Sequence, residues 1–260
     1  MFYRCFIIII VLASCKKKED YSSVQIFGHG GNGVEISNSI YHDNTQESID
    51  LALAQNGCEG VEIDVQLSKE GTAWLYHDPF LEEETSGQSC INSLNDNQIS
   101  ELHYNSIQKE KLVRLTEAKF YSKTIFLDLK QLNYCTGSYV NVDQLITQIL
   151  NLKSKNPNSK IYVSTVFEDW IEPFLNENFA VYFETTSFLK AKEISSKYAV
   201  EGLVFKNQHI SKDEVLSIKT LGKKVVIFEV RSPKGIRSAL IKLPDIIISD
   251  DIKAALIEKY

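Results

Sequence analysis

From residue 24 onward, short runs of β-branched and aromatic residues alternate almost without a break with stretches whose apolar positions recur at helical spacing. Runs such as Ile161-Tyr162-Val163-Ser164-Thr165 are too short and too β-branched for helices, and the period of the longer stretches is too close to 3.6 for strands. Strands are predicted at 24–28, 61–66, 124–129, 161–165, 180–184, 202–205, 224–230 and 245–248. Helices are predicted at 45–56, at 95–103 together with 116–121, and at 142–154, 168–177, 187–198, 211–221, 234–242 and 251–259. Such regular alternation defines an α/β chain and predicts a (β/α)8 barrel, with a doubly wound open sheet as the alternative. No internal repeat or second domain is visible.

The second strand has a small insertion behind it. Gln66-Leu67-Ser68-Lys69-Glu70-Gly71 reads as a turn leading into a return strand at 72–76, a hairpin that would rise above the barrel mouth and carry His77 back to it. The stretch from Leu81 to Leu94 reads as an irregular excursion.

The N-terminus follows a different pattern. Arg4 precedes an apolar run, Phe6 to Ala13, long enough for a signal-peptide core and too short for a bilayer span of about 20 residues. Leu12-Ala13-Ser14-Cys15 resembles a bacterial lipobox, which divides the chain into a signal peptide at 1–14, a lipidated Cys15 with a charged tether to residue 23, and a domain at 24–260. The expected location is therefore the bacterial cell envelope, on its periplasmic or surface face, with the membrane engaged through that lipid.

A formal charge of −6 argues against a nucleic-acid partner. Cys58, Cys90 and Cys135 remain in a disulfide-permissive compartment, so at most one intrachain bridge forms, and Cys58 reads as core. The sequence is silent on oligomeric state.

The chemistry concentrates at Val61-Glu62-Ile63-Asp64-Val65 and Trp74-Leu75-Tyr76-His77-Asp78. Glu62 and Asp64, two apart on a strand, share a face about 6.6 Å apart along the backbone, close enough to reach one cation. Their apolar neighbours mark an internal strand, where carboxylates need a partner or a metal. In a barrel, reactive groups sit at carboxyl strand ends, so His29, Glu62, Asp64, His77, Asp128 and Lys130 would converge on one mouth. Three carboxylates without a thiolate suit a hard divalent cation, Mg2+ or Ca2+. Two histidines beside such an ion suit phosphodiester cleavage, one taking a proton and one giving it.

These residues also carry a family resemblance. Phe27-Gly28-His29-Gly30-Gly31, Asp43-Asn44-Thr45, Gly60-Val61-Glu62-Ile63-Asp64-Val65, Tyr76-His77-Asp78, Leu127-Asp128-Leu129-Lys130 and Ile246-Ile247-Ile248-Ser249-Asp250 together resemble the glycerophosphodiester phosphodiesterase family. The resemblance implies a TIM barrel that hydrolyses small phosphodiesters to glycerol 3-phosphate and an alcohol with a divalent cation. It makes His29 and His77 the acid/base pair, and Glu62, Asp64 and Asp128 the metal ligands.

The chain departs from that pattern in four places. Gly30 stands where the family has the arginine of His-Arg-Gly, Asp43 and Asp128 replace glutamates, and Phe228 stands where tryptophan is frequent. Lys206 and Arg231 are the cations expected to take over phosphate contact with Lys130, aided by backbone N–H groups around Gly30. These departures keep two alternatives open, an inert phosphate-ester-binding lipoprotein and a phospholipase of the phosphatidylinositol or sphingomyelin type. His103, on a helix outside the barrel, and His209 read as structural or surface residues. His42 is a weak mouth candidate, and Glu184 and Glu229 could touch substrate or pair with Lys206 or Arg231.

Overall fold

The computed structural model describes residues 19–34 and 40–260, so the signal segment and Cys15 lie outside the described residues. In chain order the strands are β1 (Gln25–Gly28), β2 (Cys58–Leu67), β3 (Ala73–Leu75), β4 (Val113–Arg114), β5 (Thr124–Leu129), β6 (Leu132–Asn133), β7 (Ser138–Tyr139), β8 (Ile161–Thr165), β9 (Ala180–Glu184), β10 (Gly202–Lys206), β11 (Lys224–Val230) and β12 (Ile246–Ser249). The order β1-β12-β11-β10-β9-β8-β5-β2 is parallel throughout, and β1 pairs with β2 as well as with β12. That second pairing closes the sheet into an eight-stranded barrel and excludes the open doubly wound alternative.

Strand alternation explains the two layers of core. Val61, Ile63, Val65, Ile125, Leu127, Val163 and Val181 point outward into one apolar layer shared with the helices. Their inward neighbours Phe27, Phe126, Tyr162, Tyr182, Val204, Val226, Ile246 and Ile248 fill the barrel interior. Tyr162, Tyr182 and Phe183 are thus core. The helices are α1 (Gln46–Ala54), α2 (Asp96–Ser100), α3 (Val142–Lys155), α4 (Ile171–Asn176), α5 (Phe188–Lys197), α6 (Lys212–Thr220), α7 (Pro233–Leu240) and α8 (Ile252–Lys259). Each of α1, α3, α5, α6, α7 and α8 has a side chain capping its N-terminus; Thr45 Oγ1, for example, accepts from the Ser48 amide at 3.1 Å.

The segment after the second barrel strand differs from expectation. The hairpin forms, with β3 antiparallel to β2 in the register Val65↔Leu75 and β4 added outside β3. No helix forms at 116–121, and α2 has only five residues, so His103 lies beyond it in a bridge to Lys111. Leu112, Leu115, Ala118 and Phe120 are buried at a spacing that mimics a helix face, but from irregular chain, the last three against the outer layer of the barrel core. Trp74, Tyr76, Leu81, Ile91, Ile99, Tyr104 and Leu112 form a satellite core of this excursion. Cys90 bonds to Cys135 and ties the excursion to the β6–β7 hairpin, while Cys58 is buried and free. Among the described residues no helix is long and apolar enough to cross a membrane.

Candidate active site

The alternation that fills the barrel also builds its mouth. Two residues beyond each apolar inward residue comes the next inward position, and at the carboxyl ends these are polar: Phe27 leads to His29, Phe126 to Asp128, Tyr162 to Ser164, Tyr182 to Glu184, Val204 to Lys206 and Ile248 to Asp250. A cleft of about 350 Å³ lies on this layer, lined among others by His29, Glu62, Asp64, His77, Asp128, Lys130, Lys206, Phe228 and Arg231. These are all the expected site residues of the domain except Gly30.

Glu62, Asp64 and Asp128 each offer a carboxylate oxygen within 4.8 Å of the others. The register Asp64↔Asp128 between β2 and β5 places those two side by side. Glu62 is 4% and Asp64 1% exposed. Burial first, then the neighbouring Asp64, raises the Glu62 carboxyl well above its ordinary range. Burial works against ionised Asp64 too, but Lys130 at 2.7 Å holds it below the usual carboxylate range. Lys130 also donates to Asp128 at 2.6 Å. Asn44 completes the fixture, donating to Asp64 Oδ2 at 2.8 Å and accepting from the Asp64 amide at 2.9 Å. Three hard oxygen donors with a Glu62 whose negative charge lacks a full counter-charge fit a divalent cation.

Both histidines present the same arrangement. His29 Nδ1 donates to buried Asp250 at 2.7 Å, leaving Nε2 in the cleft 3.8 Å from Glu62. His77 Nδ1 donates to Asp78 at 2.6 Å, and half of its side chain is exposed. Burial alone would lower His29, but the Asp250 hydrogen bond and the charge of Glu62 carry it up to about 9. The bond to Asp78, with Asp64 behind it, carries His77 to about 9 as well. Gln66, the next inward residue of β2 after Asp64, donates to the carbonyls of Tyr76 and Asp78 at 3.1 and 2.9 Å and so fixes the segment that bears His77.

Gly30 is placed otherwise than the sequence suggests. Its amide donates to Glu62 at 3.0 Å, and its neighbours' amides are spent on Glu62 O, Ser48 Oγ and His29 O, so this turn offers its N–H groups to the protein rather than to a phosphate. At φ +55°, a Cβ on residue 30 would stand 2.7 Å from Asp43 Cβ. Missing arginine and close-packed Asp43 are one local arrangement.

At the far side, Lys206 pairs with Glu229 at 2.6 Å, and Glu184 is pushed up to about 7 by burial first and then Asp128. His42 lies off the cleft, between Asp43 at 2.7 Å and Glu84 at 3.3 Å and stacked on Tyr104. His209 is exposed. Asp250, Asp78 and Gln66 are the supporting residues that sequence reasoning left unassigned. The signal for Asp250 was its position at the carboxyl end of the last strand.

An eight-stranded parallel barrel with paired histidines over a carboxylate trio is the architecture of a phosphoric diester hydrolase. The model of the glycerophosphoryl diester phosphodiesterase family matches residues 29–226, most of the chain, and the protein belongs to that family. No curated protein matches it in sequence. Among solved structures it is similar to a phosphodiesterase of Oleispira antarctica in complex with the product sn-glycerol-3-phosphate, at 22% identity over 92% of this chain and 99% of that one, TM-score 0.78. Glycerophosphodiester phosphodiesterases of Parabacteroides distasonis and Thermotoga maritima are also similar, at 19% and 20% identity and TM-scores of 0.71 and 0.69, each over 91% of this chain and 97% of the other.

Proposed function

We propose that this family member hydrolyses glycerophosphodiesters to glycerol 3-phosphate and an alcohol with a divalent cation held by Glu62, Asp64 and Asp128. The observation that carries the reading is the pair of histidines, each donating Nδ1–H to a carboxylate and each lining the cleft beside the carboxylate trio. An Mg2+ or Ca2+ held there would supply positive charge to offset the negative charge that grows in the transition state.

The protein's own residues do the rest. One histidine withdraws a proton from water as its oxygen attacks phosphorus. The other gives a proton to the departing alkoxide as its P–O bond breaks, so atoms and charge balance. Asp250 and Asp78 hold the rings and stabilise the imidazolium that each histidine passes through. Arg231 and Lys206, lining the same cleft as Lys130, replace the charge of the arginine that Gly30 excludes. Phe228 forms an apolar side. The product seen in the Oleispira enzyme is the one assigned here.

The N-terminal segment belongs to the same proposal. Leu12-Ala13-Ser14-Cys15 supports lipid anchoring at Cys15 and activity at the envelope surface. The test is release of glycerol 3-phosphate from a panel of glycerophosphodiesters by protein lacking residues 1–18, with Mg2+, Ca2+ or chelator. Metal-dependent release establishes the activity, and no release by folded, metal-loaded protein rejects it.

A further inference from the structure

Half of the cleft is not used by the acid/base machinery. Going round the barrel from Asp128 through β8 and β9, its wall is built by Ser164, Glu184, Lys206, Phe228 and Glu229. The cations of the cleft each face a carboxylate: Lys130 faces Asp64 and Asp128, Lys206 faces Glu229, His29 and Arg231 face Asp250, and His77 faces Asp78. The carboxylates are not matched in return. With Glu62, Asp64 and Asp128 set aside for a metal, Glu184 makes no side-chain hydrogen bond or ion pair among the described residues, and the two lysines near enough to favour its charge, Lys130 and Lys206, are held by other carboxylates.

A second carboxylate is brought in against the normal strand pattern. Phe228 points inward, so its neighbour Glu229 should point toward the helices. Instead β11 slips against β12 between Ile227 and Val230, Glu229 takes φ +56°, and both side chains line the cleft. Bulges beside active sites re-aim side chains in this way, and a left-handed non-glycine residue is a local cost that packing must override.

A partly buried carboxylate with no cation in direct contact is best satisfied by one that arrives with the ligand. Glu184 stands two strands from Asp128, about 10 Å between strand axes and closer between converging side chains. A cation there belongs to the group esterified to a phosphate at the trio. The local acceptors select its kind. Ser164, Glu184 and Glu229 offer oxygens to a donor, a primary ammonium has three N–H groups to place, and a quaternary ammonium has none and would call for an aromatic cage. Phe228 and Phe126 are the phenyl rings that line the cleft, and Lys206 already lies over the Phe228 ring, which leaves no aromatic cage.

We infer that this half of the cleft binds the primary ammonium of an amino-alcohol phosphodiester, with Glu184 as its counter-ion and Glu229 and Ser164 as further acceptors. The inference rests on the phosphodiesterase reading and names its leaving group.

The test compares glycerophosphoethanolamine with glycerophosphoglycerol, which lacks the ammonium, using the metal-loaded wild type and Glu184→Gln. The wild type should favour the ethanolamine diester in kcat/KM by about ten- to hundredfold, the range of a hydrogen bond between charged groups, mainly through KM. In Glu184→Gln that ratio should fall toward one. Equal kcat/KM in the wild type, or an unchanged ratio in the variant, overturns the inference. Free ethanolamine should inhibit the wild type where ethylene glycol does not, a readout that needs no variant; equal inhibition by the two counts against the site. If neither diester turns over, the phosphodiesterase reading fails, and calorimetry decides the rest. Tighter binding of the ethanolamine diester, lost in Glu184→Gln, upholds the ammonium site, and equal binding of both diesters rejects it.

Discussion

Nδ1 of His29 donates to Asp250 across 2.7 Å, joining the end of the first barrel strand to the end of the last over 221 residues of chain. The bond fixes which ring nitrogen faces the cleft and stabilises the charged ring. Asp250→Asn should keep the fold and lower kcat by about 10–100-fold. Because Asp250 raises the His29 ionisation, the pH–rate limb assigned to His29 should move to lower pH in the variant. An unshifted profile with full activity would remove Asp250 from the mechanism.

Replacing His29 or His77 by alanine should lower kcat by about 10²–10⁴-fold, the usual share of a general acid or base. The two variants should differ in stability. Half-exposed His77 is expected to leave the thermal midpoint near that of the wild type, whereas the His29 variant leaves Asp250 buried without its partner. Circular dichroism melts beside the assay distinguish the two.

The metal-free protein should lose stability as pH rises from neutral. His29 titrates near 9 in the fold against an ordinary 6.5, so its contribution is complete below about 6.5 and lost as pH rises through 9. Raised Glu62 acts in the same sense, because its ionisation is resisted by burial and by Asp64. A divalent cation reverses the second effect by favouring ionised Glu62. The rise in Tm on adding Mg2+ or Ca2+ should thus be larger at about pH 8.5 than at about pH 6. An equal rise at both would place the ion elsewhere.

Restoring the family arginine by Gly30→Arg should not improve turnover. The left-handed φ and the 2.7 Å approach to Asp43 Cβ make any side chain there cost about 1–3 kcal/mol. Urea unfolding of Gly30→Ala measures that cost, and an undiminished midpoint would show that the turn can adapt.

Reducing the Cys90–Cys135 bond, which spans 45 positions, should destabilise the protein by about 2–4 kcal/mol. Denaturant curves with and without reductant read it directly. Similar midpoints would mean that the excursion is held by Trp74, Tyr104 and their neighbours alone.

The barrel was legible in the sequence because strand and helix periods differ so clearly along most of it. The failure at 116–121 came from Leu112, Leu115, Ala118 and Phe120, whose spacing satisfies a helix while tertiary packing buries them from turns. In the site, the shared face of Glu62 and Asp64 followed from the i, i+2 rule, whereas placing Asp128 beside them required the converging strand ends of a barrel and placing His77 required the hairpin. The role of Asp250 depends on β12 lying beside β1, a long-range pairing that no local pattern encodes. Glu229 is harder still: nothing in Phe228-Glu229-Val230 announces a bulge or a left-handed residue.

Strand β1, which supplies His29, is flanked by β2 and by β12, the last strand of the barrel. A nascent chain can carry both histidines and the whole carboxylate trio and still lack a sealed barrel, because the partner that seats His29 follows β12, the last barrel strand to be made. Chemistry therefore waits on synthesis through β12, and a product cut short before that strand is silent rather than partly active.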